Sequence, residues 1–389
     1  MATPSFKKPI TLQNLTWNKS NQLNVGFDLT LFKNKVNLIT DVYRRYNTNP
    51  IVSFPFPFFT GYTNVVYNAP MKTLNEGVEV QLRTRNLAEK SKLQWNTNIV
   101  FSYNKNRISE LPNGDRSFFL DSYGYNQQLI YTVGAPLNGW AQMQYAGVYN
   151  NVNEVPVNPF TGQRLTYFKG NNPVNAGYPK WIDVNKDWDV WSDEDKGEQY
   201  GDLIATGDPN PKFTGGVYNE FFYKKFSLGI QCTYTFGRDI INTFDANQFA
   251  GVWNFGNTPY DVARFRLPDI GSLNYWSPVK AADPNYRADF PSLSPYGPNY
   301  YQFSSFSTMW NENGNYFKIA SVSLGYLLPE KWLSSIGLKN GRIYSVIDNI
   351  YSFQNSKVPD AELVSPQGEY RGTSYPRPRK YTLGVEITF

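Results

Sequence analysis

The sequence predicts an all-β fold, a portion of an antiparallel transmembrane β-barrel with long loops on one side. Three observations lead there. Many segments of about ten residues alternate apolar and polar side chains. The connections between them alternate short and long. Aromatics make up 17% of the 389 residues, with 29 Tyr and 27 Phe, yet the mean hydropathy is only −0.50. No stretch of about 18 apolar residues is present, so no transmembrane helix is expected. A barrel accommodates all of this, because a tilted strand of roughly 9–11 residues crosses a bilayer with only one face in lipid.

The candidate strands number eleven, near 22–32, 36–46, 75–86, 93–104, 127–136, 139–149, 213–223, 225–236, 316–328, 338–350 and 379–389. In the first, Leu23, Val25, Phe27, Leu29 and Leu31 face one way, and Asn24, Gly26, Asp28 and Thr30 the other. In the fourth, Trp95, Thr97, Ile99, Phe101 and Tyr103 oppose Asn96, Asn98, Val100 and Ser102. The clearest is Phe226–Phe236. Phe226, Leu228, Ile230, Cys232, Tyr234 and Phe236 lie on one face; Ser227, Gly229, Gln231, Thr233 and Thr235 lie on the other. Lipid meets apolar side chains, so the first set is expected on the outside of one continuous curved sheet.

Between these strands, Lys33–Lys35, 87–92, 137–138, Lys224 and 329–337 are short. The segments 47–74, 105–126, 151–212, 237–315 and 351–378 are long. Outer-membrane barrels pair short periplasmic turns with long extracellular loops, whereas a soluble sandwich has no reason to keep long loops on one side. Residues 1–20 read as an N-terminal loop, and 21–389 as the barrel portion. In the last strand Tyr381, Leu383, Val385, Ile387 and Phe389 form an apolar face against Thr382, Gly384, Glu386 and Thr388. An alternating strand closed by an aromatic resembles the signal read by the barrel-assembly machinery. That places the C-terminus in the periplasm and, counting back, every long loop outside the cell.

Composition narrows the function classes. Lys+Arg number 37 and Asp+Glu 32, with no basic cluster beyond short pairs, so no nucleic-acid partner is expected. The lone Cys232 allows no intrachain disulfide, and it reads as a small apolar residue rather than a nucleophile. The absence of histidine removes Ser-His-Asp and Cys-His catalysis and His-based zinc sites. Met1–Lys8 lacks an apolar core, so that stretch is not expected to be a signal peptide.

Several phrases carry a family resemblance. Gly207-Asp208-Pro209-Asn210-Pro211-Lys212-Phe213 leads to Gly215-Gly216 and Phe226-Ser227-Leu228. Asn75-Glu76-Gly77-Val78-Glu79, Asn104-Lys105-Asn106-Arg107-Ile108, Tyr316-Phe317-Lys318-Ile319 with Leu324-Gly325-Tyr326, and Tyr375-Pro376-Arg377-Pro378-Arg379 through Phe389 follow the same order. From about Asn21 onward the chain resembles the late barrel of SusC/RagA-like TonB-dependent transporters. The resemblance implies about eleven strands of a 22-stranded, plugged barrel in the outer membrane of a Gram-negative bacterium. It also implies a SusD-like surface lipoprotein as partner, energy from the TonB system through an N-terminal region lying upstream, and import of glycans, oligopeptides or similar large nutrients. The chain is therefore expected to be a C-terminal fragment, unable to close its sheet or import alone, with plug and TonB box elsewhere. A passive porin or adhesin-like barrel is the alternative, and a soluble carbohydrate-binding β module a more distant one. Substrate identity is not legible.

One loop carries a ligand-like spacing. Asp183, Asn185 and Asp187 occupy positions 1, 3 and 5 of a calcium-loop pattern. Asp189 would offer its carbonyl at position 7, Val190 is the apolar position 8, and Glu194 is the carboxylate at 12. Trp188 stands at position 6, where the sharp turn ordinarily takes glycine. A solvated acidic loop is the plainer reading. Asp193 and Asp195 lie in the same loop, and nothing around them supports glycosidase chemistry, so no enzyme activity is expected. Loop aromatics (Trp181, Trp188, Trp191, Trp253, Tyr260, Trp276, Tyr296, Tyr300 and Tyr301) suit sugar faces, protein partners or packing among themselves. Pro55-Phe56-Pro57-Phe58-Phe59 is apolar enough for a partner or the membrane rim.

Overall fold

The computed structural model describes residues 10–11, 14–55, 64–112, 117–120, 129–167, 170, 172–190, 201–251, 271, 273–293, 307–334 and 337–389. Its frame is one nine-stranded antiparallel sheet with the strands in sequence order. They are β1 (Lys19–Leu31), β2 (Val36–Thr48), β3 (Lys72–Arg85), β4 (Leu93–Glu110), β5 (Phe213–Tyr223), β6 (Phe226–Phe236), β7 (Tyr316–Leu327), β8 (Asn340–Gln354) and β9 (Lys380–Thr388).

The register lines up one face across the whole sheet. Val25 pairs with Val42, Val42 with Val78, and Val78 with Tyr103. Further along, Ile99 pairs with Val217, Val217 with Cys232, Val322 with Ile230 and Ile347, and Ile347 with Tyr381. Their neighbours two residues away extend the same apolar face, so Phe226, Leu228, Ile230, Cys232 and Tyr234 share it as the alternation predicts. Two aromatic bands flank its aliphatic middle. Trp95–Phe221 and Phe226–Tyr326 lie toward the short turns, with ring centroids 5.5 and 4.8 Å apart. Tyr103–Phe213, Tyr234–Phe236 and Phe317–Phe353 lie toward the long connections. The 11 residues of β6 run ~33 Å along the strand, or ~25 Å in height at a tilt of about 40°, which is the height of a barrel's lipid belt.

Two sequence expectations are corrected. Residues 127–136 and 139–149 do not join this sheet. Their described parts form Leu129–Thr132, Trp140–Gln142 and Tyr145–Val148 in small separate sheets. The reason is chemical: Trp140, Ala141, Gln142 and Met143 are all buried, so this stretch has no lipid-facing side to alternate. The nine-stranded sheet is therefore two strands short of eleven, and 111–212 is a single long connection. Removing two strands preserves the alternation of short and long, so every long connection still lies at one end.

The β1–β2 turn runs through Phe32, Lys33 and Asn34 with φ of 52–65°, a left-handed stretch that reverses the chain in few residues. Within β7 the apolar phase slips by one residue at Ala320. Phe317 and Ile319 precede it on the apolar face; Val322, Leu324 and Tyr326 follow. A bulge there absorbs the slip and keeps both halves in phase with β6.

Most of the hydrophobic core among the described residues lies outside the sheet; a small cluster of Ala69, Met71, Ile108 and Leu111 sits at its loop-side edge and includes Ile108 of β4. Tyr149, Leu165, Tyr167, Val174, Trp181, Val190 and Leu203 form one cluster within 111–212. Trp140, Ile241, Ala246, Phe249 and Trp310 form another, joining 111–212 to 237–315 and including helix α1 (Thr243–Gly251). A third, of Ile240, Val358, Ala361 and Tyr370, brings in 355–379. The described parts of the long connections thus pack together as one layer at one end of the sheet.

Candidate functional site

The second face of the sheet is polar and meets the loop layer at its upper end. Gln22, Asn24, Asp41, Tyr43, Arg45, Asn75, Glu79 and Asn104 line an open depression of about 560 Å³. Side chains brace one another across strands. The Tyr43 hydroxyl donates to Asn104 Oδ1 at 3.1 Å. Asn106 Nδ2 donates to Asn75 Oδ1 at 2.7 Å, and Arg45 Nη2 to Gln22 Oε1 at 2.6 Å. Such pairs hold a wetted wall in fixed geometry and leave other lone pairs and N–H groups for water or solute. Gly77 belongs to this packing. A Cβ there would lie 2.5 Å from the Tyr43 hydroxyl and 2.4 Å from the Tyr103 carbonyl, so only glycine lets the ring lie flat across the strand.

The loop layer is tied down at the same end. The Leu137 amide donates to Asn106 Oδ1 at 2.9 Å. On β7, Lys318 is 5% exposed; its Nζ lies 2.5 Å from Glu362, which also pairs with Arg377 at 3.2 Å. Within the layer, Gln142 and Asn311 exchange amide hydrogen bonds at 3.0 and 2.8 Å. Trp140 is fully buried, its Nε1 donates to the Gln367 carbonyl at 2.8 Å, and its ring lies on Gly207 and Gly368. Gly207 has φ +63°, and a Cβ there would be 2.1 Å from the Trp140 ring. This explains the Gly-Asp-Pro-Asn-Pro phrase physically. Gly207 makes room for the indole, while Asp208 and Asp239 clamp two chain segments together. The Asp208 amide donates to Asp239 Oδ2 at 2.9 Å, and the Asp239 amide to the Asp208 carbonyl at 2.8 Å.

Burial shifts several loop groups. It pushes the Asp208 carboxyl up, against hydrogen bonds from Asn210 that lower it. The Asp245 carboxyl is raised by burial and by the charge of Glu312. The Tyr149 phenol is pushed up to about 12 by burial and by Glu154 and Asp183.

The acidic loop is held by hydrogen bonds from its own backbone amides to its side chains. Asp183 Oδ1 accepts from the Lys186 amide at 2.7 Å and Oδ2 from the Trp188 amide at 3.0 Å. Asn185 Oδ1 accepts from the Asp187 amide, and Asp187 Oδ1 from the Asp189 amide. Trp188 itself takes the left-handed conformation, φ +71°, so its bulk does not prevent the position-6 turn. Val190 is fully buried in the layer core. The Asp189 side chain turns away, accepting from Thr166 Oγ1 and the Gly170 amide. Among the described residues no group of three or more His, Cys, Asp or Glu side chains gathers around one point. Glu194, Asp193, Asp195 and Trp191 lie outside the described residues, as do Trp253, Tyr260, Tyr296, Tyr300, Tyr301 and Phe56–Phe59.

Two loop aromatics pack rather than present a face. Trp181 is buried in the layer core. Trp276 lies against Gly177 and donates to the Asn150 carbonyl at 3.0 Å. Sequence reasoning missed the Gln142–Asn311 pair and the Trp140 hub; a tryptophan followed by a run without polar alternation was the available signal. Tyr381, Leu383, Val385 and Ile387 lie on one face of β9 and are exposed, as is Phe389 just beyond its end.

No family model matches the chain. It is 26% identical over 388 residues to TonB-dependent receptor P3 of Formosa agariphila, covering 97% of this chain and 34% of that protein. It is 20% identical over 379 residues to TonB-dependent receptor SusC of Bacteroides thetaiotaomicron, covering 97% of this chain and 32% of that protein. The chain thus spans about a third of the length of the curated relatives it matches. Among solved structures, the RagAB peptide transporter superposes with a TM-score of 0.70 at 21% identity, over 97% of this chain and 36% of that one. The RagAB peptide importer in its closed-closed state gives 0.67, also at 21% identity, over 97% of this chain and 36% of that one. These relatives are named as receptors and transporters, not as enzymes. The likeness to TonB-dependent receptors, SusC among them, runs along 97% of the chain, and the fold is shared with RagAB, in keeping with the C-terminal barrel portion that the sequence phrases resemble.

Proposed function

We propose that the chain forms part of the wall and outer loop layer of an outer-membrane nutrient importer. The observation that carries this reading is a continuous two-faced sheet whose long connections, in their described parts, pack together at one end. The apolar face meets lipid, the polar face lines the passage, the loop layer lies outside the cell, and the C-terminus lies in the periplasm. Residues 21–389 act as one barrel portion preceded by a loop segment, and the β9 face from Tyr381 to Phe389 is the part read by the barrel-assembly machinery. Transport draws on TonB energy through a region outside this chain, and a SusD-like lipoprotein closes the loop side over glycans, oligopeptides or similar large nutrients. The shared fold with a peptide transporter supports gated passage rather than bond-making chemistry. Calcium on Asp183, Asn185, Asp187, the Asp189 carbonyl and Glu194 would order the outer layer. The turn through Trp188 already has the conformation such a loop uses.

The test is made in cells carrying the whole protein. Uptake of its nutrient should stop when TonB is deleted, and the lipoprotein should co-purify with the barrel. Unchanged uptake without TonB would overturn the importer reading in favour of a passive pore.

A further inference from the structure

On the apolar face, one register row departs from the belt. Leu23 pairs with Arg44, Arg44 with Glu76, and Glu76 with Lys105 across β1–β4. The next row toward the short turns is Val25, Val42, Val78 and Tyr103. The charged row therefore lies at the loop-side rim of the lipid belt, on the lipid side and not on the passage side. Glu76 holds two guanidiniums, with Arg107 at 3.1 Å and Arg44 at 3.8 Å. One carboxylate against Arg44, Lys105 and Arg107 leaves the cluster positive. An arginine paired to one carboxylate keeps further N–H donors in a rigid fork, suited to the oxygens of a phosphate. Directly below runs an apolar groove of about 330 Å³, floored by Leu23, Val25, Val42, Val78 and Tyr103, with Arg44 and Glu76 at its head.

We propose that Arg44, Lys105 and Arg107, set around Glu76, bind a phosphorylated lipid of the outer leaflet, its phosphate on the three cations and an acyl chain in the groove. The inference rests on the reading that this face meets lipid. Charge and shape together select the occupant. A free anion would leave the groove unfilled, and an uncharged lipid would leave the cations unmatched against hydrocarbon. Glu76 is a positioning residue that holds the two arginines side by side.

The experiment uses the whole protein purified from outer membranes in detergent and stripped of lipid. Binding is read by native mass spectrometry with bis-phosphorylated lipid A, dephosphorylated lipid A and inorganic phosphate. Wild type should take up lipid A and favour it over the dephosphorylated form by at least tenfold, and equimolar inorganic phosphate should not displace it. The variant Arg44→Gln/Lys105→Gln/Arg107→Gln should bind roughly a hundredfold more weakly, while Glu76→Gln keeps binding. Arg107→Gln alone, which leaves the belt untouched, should lose several-fold and serves if the triple variant fails to assemble. Equal binding of both lipids, displacement by inorganic phosphate, or undiminished binding by the triple variant or by Arg107→Gln would overturn the proposal. A wild-type protein that stays soluble without detergent would overturn the membrane reading itself, a separate and distinguishable failure.

Discussion

At the residue scale, the outer layer depends on buried polar groups whose charge matters. Asp245 in α1 accepts from Asn242 Nδ2 at 2.8 Å, and its carboxyl is raised by burial and by Glu312. A carboxyl raised in the folded state binds its proton more readily there than in the unfolded chain. It therefore penalises folding above its folded pKa, and the penalty disappears as pH falls toward the ordinary carboxylate range near 4. Asp245→Asn should stabilise the loop layer at pH 7 and flatten the gain in stability that the wild type shows as pH falls from there toward the ordinary carboxylate range near 4. Melting of the layer followed by tryptophan fluorescence checks this, and an unchanged pH slope would refute it. For the acidic loop, calcium should raise that same melting temperature in the whole protein, and Asp183→Ala should abolish the rise. Asp183 accepts both the Lys186 and Trp188 amides, so its loss also frees the left-handed turn. The spacing of these residues was legible in the sequence. The ability of Trp188 to adopt φ +71° was not, because that conformation is imposed by the hydrogen bond to Asp183 rather than by residue type.

At the element scale, alternation was the legible signal and burial the illegible one. For β6 the period-two pattern assigned every side chain to its face, because lipid and water differ so strongly as surroundings. The same reasoning misassigned 139–149, where a protein core takes the place of lipid and both sides of a short strand are buried. The bulge at Ala320 was present in the sequence as a phase slip between Ile319 and Val322, although no turn residue marks it. The two faces of β6 make a direct test. Ile230→Lys places a charge in the aliphatic middle of the apolar face and should destabilise the assembled barrel by ~2–4 kcal/mol. Gln231→Lys, one residue away on the polar face, should cost less than ~1 kcal/mol. The heat-modifiable fraction on unboiled gels reports both. Equal effects would mean that the faces are not in different solvents.

At the scale of the whole molecule, two parts are held together by different physics. The loop layer buries its clusters in water by the ordinary hydrophobic effect. The sheet buries no such core on its apolar face, where Leu23, Leu383 and Val385 remain largely exposed in the protein alone, and relies on surrounding lipid or detergent. Urea added to the whole protein in detergent should therefore melt the layer first, seen by tryptophan fluorescence, and the strands later, seen by far-ultraviolet circular dichroism. Coincident transitions would show one cooperative unit. The sequence located the long connections, yet their joint folding was hidden, since Trp140 meets Trp310 and Gln367 only in three dimensions. That shared hub bears on how such proteins can diversify. A chimaera exchanging 111–212 alone would set a foreign surface against Ile241, Trp310 and the Gln367 carbonyl. Only a graft carrying 49–71, 111–212, 237–315 and 355–379 as a set would keep these packed contacts together on a new wall.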